Sequence, residues 1–149
     1  MRRIGICWHG AAGTPVEYKR PTDFGFWHPL LDTEGVEWQC LQFGERPDLR
    51  MQPCPSGDIL DTMNRISGLD LVITADTSIA HLAASMGIQT WMLLYRPAEW
   101  RWELNGDTTA WYPSMRIFRQ ERRGEWGPVF DRLAKELRAV VASGVEYAA

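Results

Sequence analysis

The chain has no excess of basic residues: 16 Lys and Arg stand against 19 Asp and Glu, a net charge of −3. That removes any general electrostatic pull toward nucleic acid or an anionic membrane surface. No apolar run approaches the roughly 20 residues that cross a bilayer. Met1-Arg2-Arg3 is followed by only a short apolar strand, which is not the pattern of a secretory signal. Cysteine is scarce. Cys7, Cys40 and Cys54 are odd in number and lack C-x-x-C spacing, so they read as reduced core thiols of a cytoplasmic protein. The three histidines lie far apart, without the spacing of metal ligands. There is no internal repeat and no low-complexity tract. A P-loop, a G-x-S-x-G elbow and a G-x-G-x-x-G turn are missing too, so phosphate-loop, hydrolase and nicotinamide fingerprints find no support.

What is present fits one domain of 149 residues, 45% apolar and 23% charged, enough to bury a core. Eight tryptophans are the compositional oddity. Trp8, Trp27, Trp38 and Trp91 fall in or beside apolar elements and are expected in the core. Trp100, Trp102 and Trp111 cluster in a polar loop, where large aromatics line a cleft or an interface.

The hydrophobic pattern alternates strand and helix. Arg3 to Trp8 reads as a strand, His9 to Asp23 as a polar connection, and about Phe26 to Thr33 as a short helix ended by Gly35. Val36 to Gln42 is a second strand, followed by a long Pro-rich loop from Phe43 to Gly57. Ser56-Gly57-Asp58 offers a helix start, with Ile59, Leu60, Met63 and Ile66 as its apolar stripe up to Gly68. After the irregular loop Arg96 to Ser114 come a strand at Met115 to Arg119 and a last helix over about Glu125 to Val141. Such alternation predicts parallel pairing, right-handed crossovers and a Rossmann-like three-layer α/β sandwich with a mostly parallel sheet of about five strands.

The segment Leu69 to Leu94 carries the most information. An apolar run (Leu71, Val72, Ile73, Thr74) ends at Ala75-Asp76-Thr77-Ser78. A helical stripe follows (Ile79, Leu82, Ala83, Met86), then Gly87, then a buried-strand run from Thr90 to Tyr95. The first N–H groups of that helix lack internal partners and point into the crevice beyond the strand's end, where open parallel sheets bind phosphorylated ligands. The alternative is that Asp76, Thr77 and Ser78 only cap the helix.

The loops after the strands share one sheet edge, and their polar residues are the candidate ligands. His9, Gly10 and Gly13 belong to a small-residue turn that allows close backbone approach. Lys19 and Arg20 can reach a phosphate, or stand as a solvated basic pair. Glu45 is placed to accept bonds from ribose hydroxyls, or is an exposed loop carboxylate. His81, four residues after Thr77, projects from the same helix face, to a phosphate or into a buried hydrogen bond.

Asp76-Thr77-x-x-Ala80-His81-Leu82-Ala83 with Gly87, Trp91 and Leu93-Leu94 resembles the donor-binding half of glycosyltransferase family nine, the lipopolysaccharide heptosyltransferases. The likeness is closer still to the related C-terminal domains of bacterial tetratricopeptide-repeat proteins. Ile4-Gly5-Ile6-Cys7-Trp8-x-Gly10, Leu41-Gln42, Trp100-Arg101-Trp102, Trp111-Tyr112-Pro113-Ser114-Met115-Arg116, Phe118-Arg119-Gln120 and Gly124-x-Trp126 extend it over nearly the whole chain. Ala11 departs from the asparagine that often follows the W-x-G of that family. The resemblance implies one half of a GT-B fold, a nucleotide-sugar donor and no metal or other cofactor. By that carry-over Asp76, Thr77 and Ser78 meet the donor phosphates with Lys19, Arg20 and His81. Gln42, Trp100 and Arg101 complete the ligand-binding set. Catalysis would consist mainly of neutralising charge on the leaving diphosphate.

Three functions follow as expectations: the donor half of a transferase, a stand-alone module that captures a nucleotide-derived ligand, and a degenerate interaction domain using the tryptophan loop. The partners these allow are a small nucleotide ligand, an acceptor-binding domain or a second copy of the chain. Nucleic acid and a membrane span are not among them.

Overall fold

The computed structural model describes residues 1–10, 20–21, 23–98 and 100–144. Five strands form one all-parallel sheet: β1 (Arg2–Cys7), β2 (Val36–Cys40), β3 (Leu71–Ala75), β4 (Thr90–Leu94) and β5 (Met115–Arg119). Their order across the sheet is β2-β1-β3-β4-β5. The helices are α1 (Phe24–Trp27), α2 (Ile59–Ser67), α3 (Ser78–Ser85) and α4 (Gly127–Ser143). This is the expected Rossmann-like three-layer α/β sandwich. Right-handed crossovers that run first to β2 and then back past β1 must place their helices on opposite faces. Accordingly Trp27, Leu30 and Leu31 share one core with Phe130, Leu133 and Leu137 of α4. Ile66 of α2 and Ala83 of α3 share another with Cys7, Leu41 and Val72.

Central strands covered on both faces must be apolar throughout, and β3 and β4 are buried at every position. In α3 the small side chains of Ala80, Ala83 and Ala84 are buried and let the helix lie close on the sheet. Gly87 follows it with φ +76°, a backbone conformation that glycine adopts without a Cβ penalty. Gly5 serves close approach in β1, because a Cβ there would lie 2.6 Å from a methyl of both Leu41 and Leu69.

Several sequence expectations shift. Helix α1 begins at Phe24 because Asp23 caps it, accepting from Gly25 N–H at 2.8 Å. Pro29 cannot donate the next helical bond, and the chain continues as a 3₁₀ turn over His28–Asp32. Helix α4 starts at Gly127, two residues later than read. The stripe assigned to α2 is corrected at its start, since Ile59 and Leu60 are 60% and 63% exposed. The buried face is Thr62 and Ile66. At about 100° per residue Leu60 points away from them, while Ile59 faces a cleft.

The cysteines are also corrected: Cys40 and Cys54 form a disulfide with Cα atoms 4.8 Å apart, and only Cys7 is free. The loop after β2 folds back along that strand, where Gln52 N–H donates to Trp38 O at 2.8 Å, and so delivers Cys54 to the strand's end. Trp8, Trp27, Trp38 and Trp91 are buried as expected. Trp102 joins them at 1% exposure, while Trp100 and Trp111 stay open. Among the described residues no helix is long and apolar enough to cross a membrane.

Candidate functional site

The chain leaves β1 toward β2 on one side and returns to β3 on the other, so the loops at the carboxyl ends of β1 and β3 diverge. A crevice opens at such a point in any doubly wound sheet. Here it is a cleft of about 750 Å³. Its polar end is formed by His9 and Gly10 after β1, Gln42 after β2, and Thr77, Ser78 and His81 at the start of α3. Its other end is apolar, walled by Phe43, Pro55, Ile59 and Leu82.

The start of α3 decides between capping and an open anion site. Thr77 is the N-cap residue, yet no side chain caps the helix. The Thr77 hydroxyl turns inward, 3.1 Å from that of Thr74. Ala80 N–H turns back to Thr77 O at 3.1 Å. The amides of Ser78 and Ile79 are left without a hydrogen-bond partner among the described residues. Both residues line the cleft. Two N–H groups at the positive end of a helix, opening on a crevice opposite Gly10, form an anion-binding arrangement.

Around this tip each polar group is held by another. Gln42 is buried, and its Oε1 accepts from the N–H groups of Trp8 (3.1 Å) and His9 (3.0 Å), fixing the turn after β1. His9 places Nδ1 2.7 Å from Gly10 O and Nε2 2.8 Å from Glu45 Oε1. The Gln42 Nε2 donor lies 3.4 Å from the same Nδ1, so the ring is held from both sides. Glu45 therefore braces His9 and does not itself line the cleft. His81 Nδ1 lies 2.9 Å from the Tyr112 hydroxyl, and its ring stacks on Trp102 at 5.3 Å. Beneath the tip Cys7 is buried, and burial pushes its thiol up to about 11, so it is no thiolate nucleophile at neutral pH. Farther along the loop after β2, hydrogen bonds from Arg50 hold the Asp48 carboxyl down at about 2.

Not all the sequence-predicted residues meet in this cleft. Asp76 faces the tryptophan loop: Trp102 Nε1 donates to its carboxylate at 3.2 Å. Arg20 Nε donates to Asp76 O at 2.7 Å, which puts Arg20 behind the tip. Trp100 and Arg101 wall a separate hollow of about 240 Å³ that adjoins the cleft at His81 and Tyr112. Gly13 and Lys19 lie outside the described residues. Phe43, Pro55 and Ile59 were missed as site residues. Their signal was an apolar residue in a polar loop, or at the first position after a cap, where a core role is not available. Among the described residues no group of three His, Cys, Asp or Glu side chains is placed to hold a metal ion.

Fold and cleft together define a doubly wound α/β domain with an uncapped helix start at its topological switch point. No family model matches the chain. It is similar to Protein FlbA of Caulobacter vibrioides, 28% identical over 155 aligned residues that take in 95% of this chain and 26% of that protein. The chain thus spans about a quarter of that relative's length. No solved structure matches.

Proposed function

We propose that the domain binds a nucleotide or nucleotide-sugar diphosphate, with a phosphate on the Ser78 and Ile79 amides and the nucleoside toward the apolar wall. The uncapped start of α3 inside the cleft carries this reading. A diphosphate needs donors that are already oriented and lack a competing partner, and a base needs an apolar surface. The cleft offers one at each end. The sequence resemblance supports reading this as the donor half of a GT-B glycosyltransferase, in which the same amides would stabilise the departing diphosphate. An acceptor-binding domain would then be supplied by a longer protein or by a separate partner chain. The cytoplasm, where nucleotide-activated sugars are made, is the compartment this reading requires.

The test is calorimetry and thermal-shift measurement with nucleoside diphosphates of each common base and their sugar conjugates. Saturable binding by at least one is expected, and failure of all to bind ends the reading. Recovery of the bound ligand by mass spectrometry then separates transfer or hydrolysis from simple capture. Intact ligand recovered after mixing with an acceptor-binding domain would make this a capture module.

A further inference from the structure

The hollow of about 240 Å³ beside the cleft is almost wholly aromatic. Trp100, Trp102, Trp111 and Tyr112 line it with His81 and Arg101, and it meets the cleft at His81 and Tyr112. Trp102 is buried against His81, but Trp100 is 79% exposed and Trp111 61%. Their rings stand 6.5 Å apart at 76°, an edge-to-face pair that forms an open corner. Large apolar groups left in water beside a concavity mark a place that another molecule covers.

The second observation is that hydrogen bonds fix this corner in place. The Trp111 indole N–H donates to Arg101 O at 3.0 Å, which holds the ring while most of it stays open. Arg119 reaches over from the end of β5 and donates to Gly106 O at 2.6 Å, to Glu103 O at 3.0 Å and to Trp102 O. Glu103 stands at φ +58°, in the left-handed region that a side chain opposes, and its N–H closes the turn on Trp100 O at 3.2 Å. Backbone held in such a conformation by its surroundings is concentrated at ligand sites. The loop is therefore ordered by its own bonds, with two indoles left facing water.

We propose that this hollow is a sugar subsite, which takes the pyranose ring of a nucleotide-sugar on Trp111 and Trp100 while the diphosphate lies on the α3 amides. The inference rests on the nucleotide reading of the cleft, and it selects the sugar conjugate over the bare nucleotide. Position supports it first. His81 is three residues on from Ser78, so the hollow opens within a turn of the amides that would hold the phosphate. A nucleoside at the apolar wall of Phe43 and Ile59 puts whatever follows the diphosphate on this side. Chemistry supports it second. The faces of a pyranose carry C–H groups of slightly positive character, which suit the negative face of an indole. Its rim carries hydroxyls, and the lining supplies the Tyr112 hydroxyl and the Arg101 guanidinium as groups able to bond them. A protein partner seated on the two indoles would need no hollow continuous with the cleft.

The test is calorimetry on the full chain with the diphosphates of adenosine, guanosine and uridine, each beside its glucose or mannose conjugate. Esterification lowers the charge of the diphosphate, so the readout is the affinity of each conjugate relative to its own diphosphate. Trp111 is exposed, and Trp111→Ala is expected to fold normally. In at least one pair it should lower that ratio about three- to tenfold, the range of one aromatic contact, and Trp111→Phe should recover part of the loss. In ¹H–¹⁵N spectra the indole resonances of Trp100 and Trp111 are expected to move with the conjugate and to stay in place with the bare diphosphate. A ratio unchanged by Trp111→Ala in every pair, or indole signals indifferent to the conjugate, would overturn the assignment while nucleotide binding stands. Failure of every diphosphate and conjugate to bind would instead end the cleft reading, and the sugar subsite with it.

Discussion

Replacing Ser78 by proline tests the anion site with one atom group. Ser78 is the first residue of α3, where proline is favoured, because that N–H has no place in the helical ladder. Thr77, the residue before it, has φ −136° and ψ 174°, the extended conformation that a following proline demands. The Ser78 side chain is exposed, so nothing in the core is lost. Proline at a compatible position stabilises a fold by about 0.4–1 kcal/mol through the unfolded chain. The melting temperature should therefore hold or rise slightly. Binding should not hold. One hydrogen bond to a charged group contributes about 1.5–3 kcal/mol, so its removal weakens nucleotide affinity roughly 10- to 150-fold. Ser78→Ala keeps the amide, removes the hydroxyl and separates the two contributions. Calorimetry with the tightest nucleoside diphosphate is the assay. Unchanged affinity in Ser78→Pro, or a loss matched fully by Ser78→Ala, would refute the claim that backbone N–H groups grip the phosphate.

Three further outcomes follow from the packing and the charges. Gly5→Ala places a methyl against the buried methyls of Leu41 and Leu69; overpacking of this kind costs about 1–3 kcal/mol, read as a lower urea midpoint. Asp48 has a pKa of about 2 against an ordinary 3.8, through its bonds to Arg50. A depressed carboxyl stabilises the fold above its unfolded pKa and loses that contribution as pH falls through the folded value. Asp48→Asn should therefore be less stable than the wild type at neutral pH, with the gap closing as pH approaches about 2. Thiol titration with a disulfide reagent should count no reactive thiol in the native protein at neutral pH, because Cys7 is buried and protonated. It should count one after denaturation, and three when a reductant is added first, reflecting the Cys40–Cys54 bond. Three thiols without reductant would contradict that bond.

What could be read in advance was what periodicity encodes. β3, β4 and β5 are uninterrupted apolar or alternating runs between glycine and polar turns, and their positions followed from that alone. The element ends that moved did so for local reasons: Asp23 is a better helix start than Phe26, and Pro29 stops the α ladder. Contacts distant in sequence were a different matter. Nothing in residues 43–57 announces that Gln52 lies against β2 and brings Cys54 to Cys40, since an odd cysteine count fits pairing and no pairing equally well. Trp102 looked like its neighbours Trp100 and Trp111. It is buried because its indole N–H finds the Asp76 carboxylate, a partner 26 residues away.

That same bond explains why the candidate site was legible in place and illegible in detail. A sequence lists Asp76, Thr77 and Ser78 as three equivalent acceptors or donors at a helix start, and the choice between capping and ligand binding turns on which way each faces. Asp76 is turned to Trp102 and Thr77 to Thr74, so the two side chains best able to cap α3 are both directed elsewhere. The side chains that line the turn thus serve the scaffold, and the backbone donors they would otherwise occupy are what the cleft presents. Trp102→Phe removes one of the bonds that turn the Asp76 carboxylate away from the start of α3, which favours its moving onto the Ser78 amide and capping the helix. The expected result is lower nucleotide affinity without any change in a residue that lines the cleft, and equal affinity in that variant would show that Trp102 does not hold the site open.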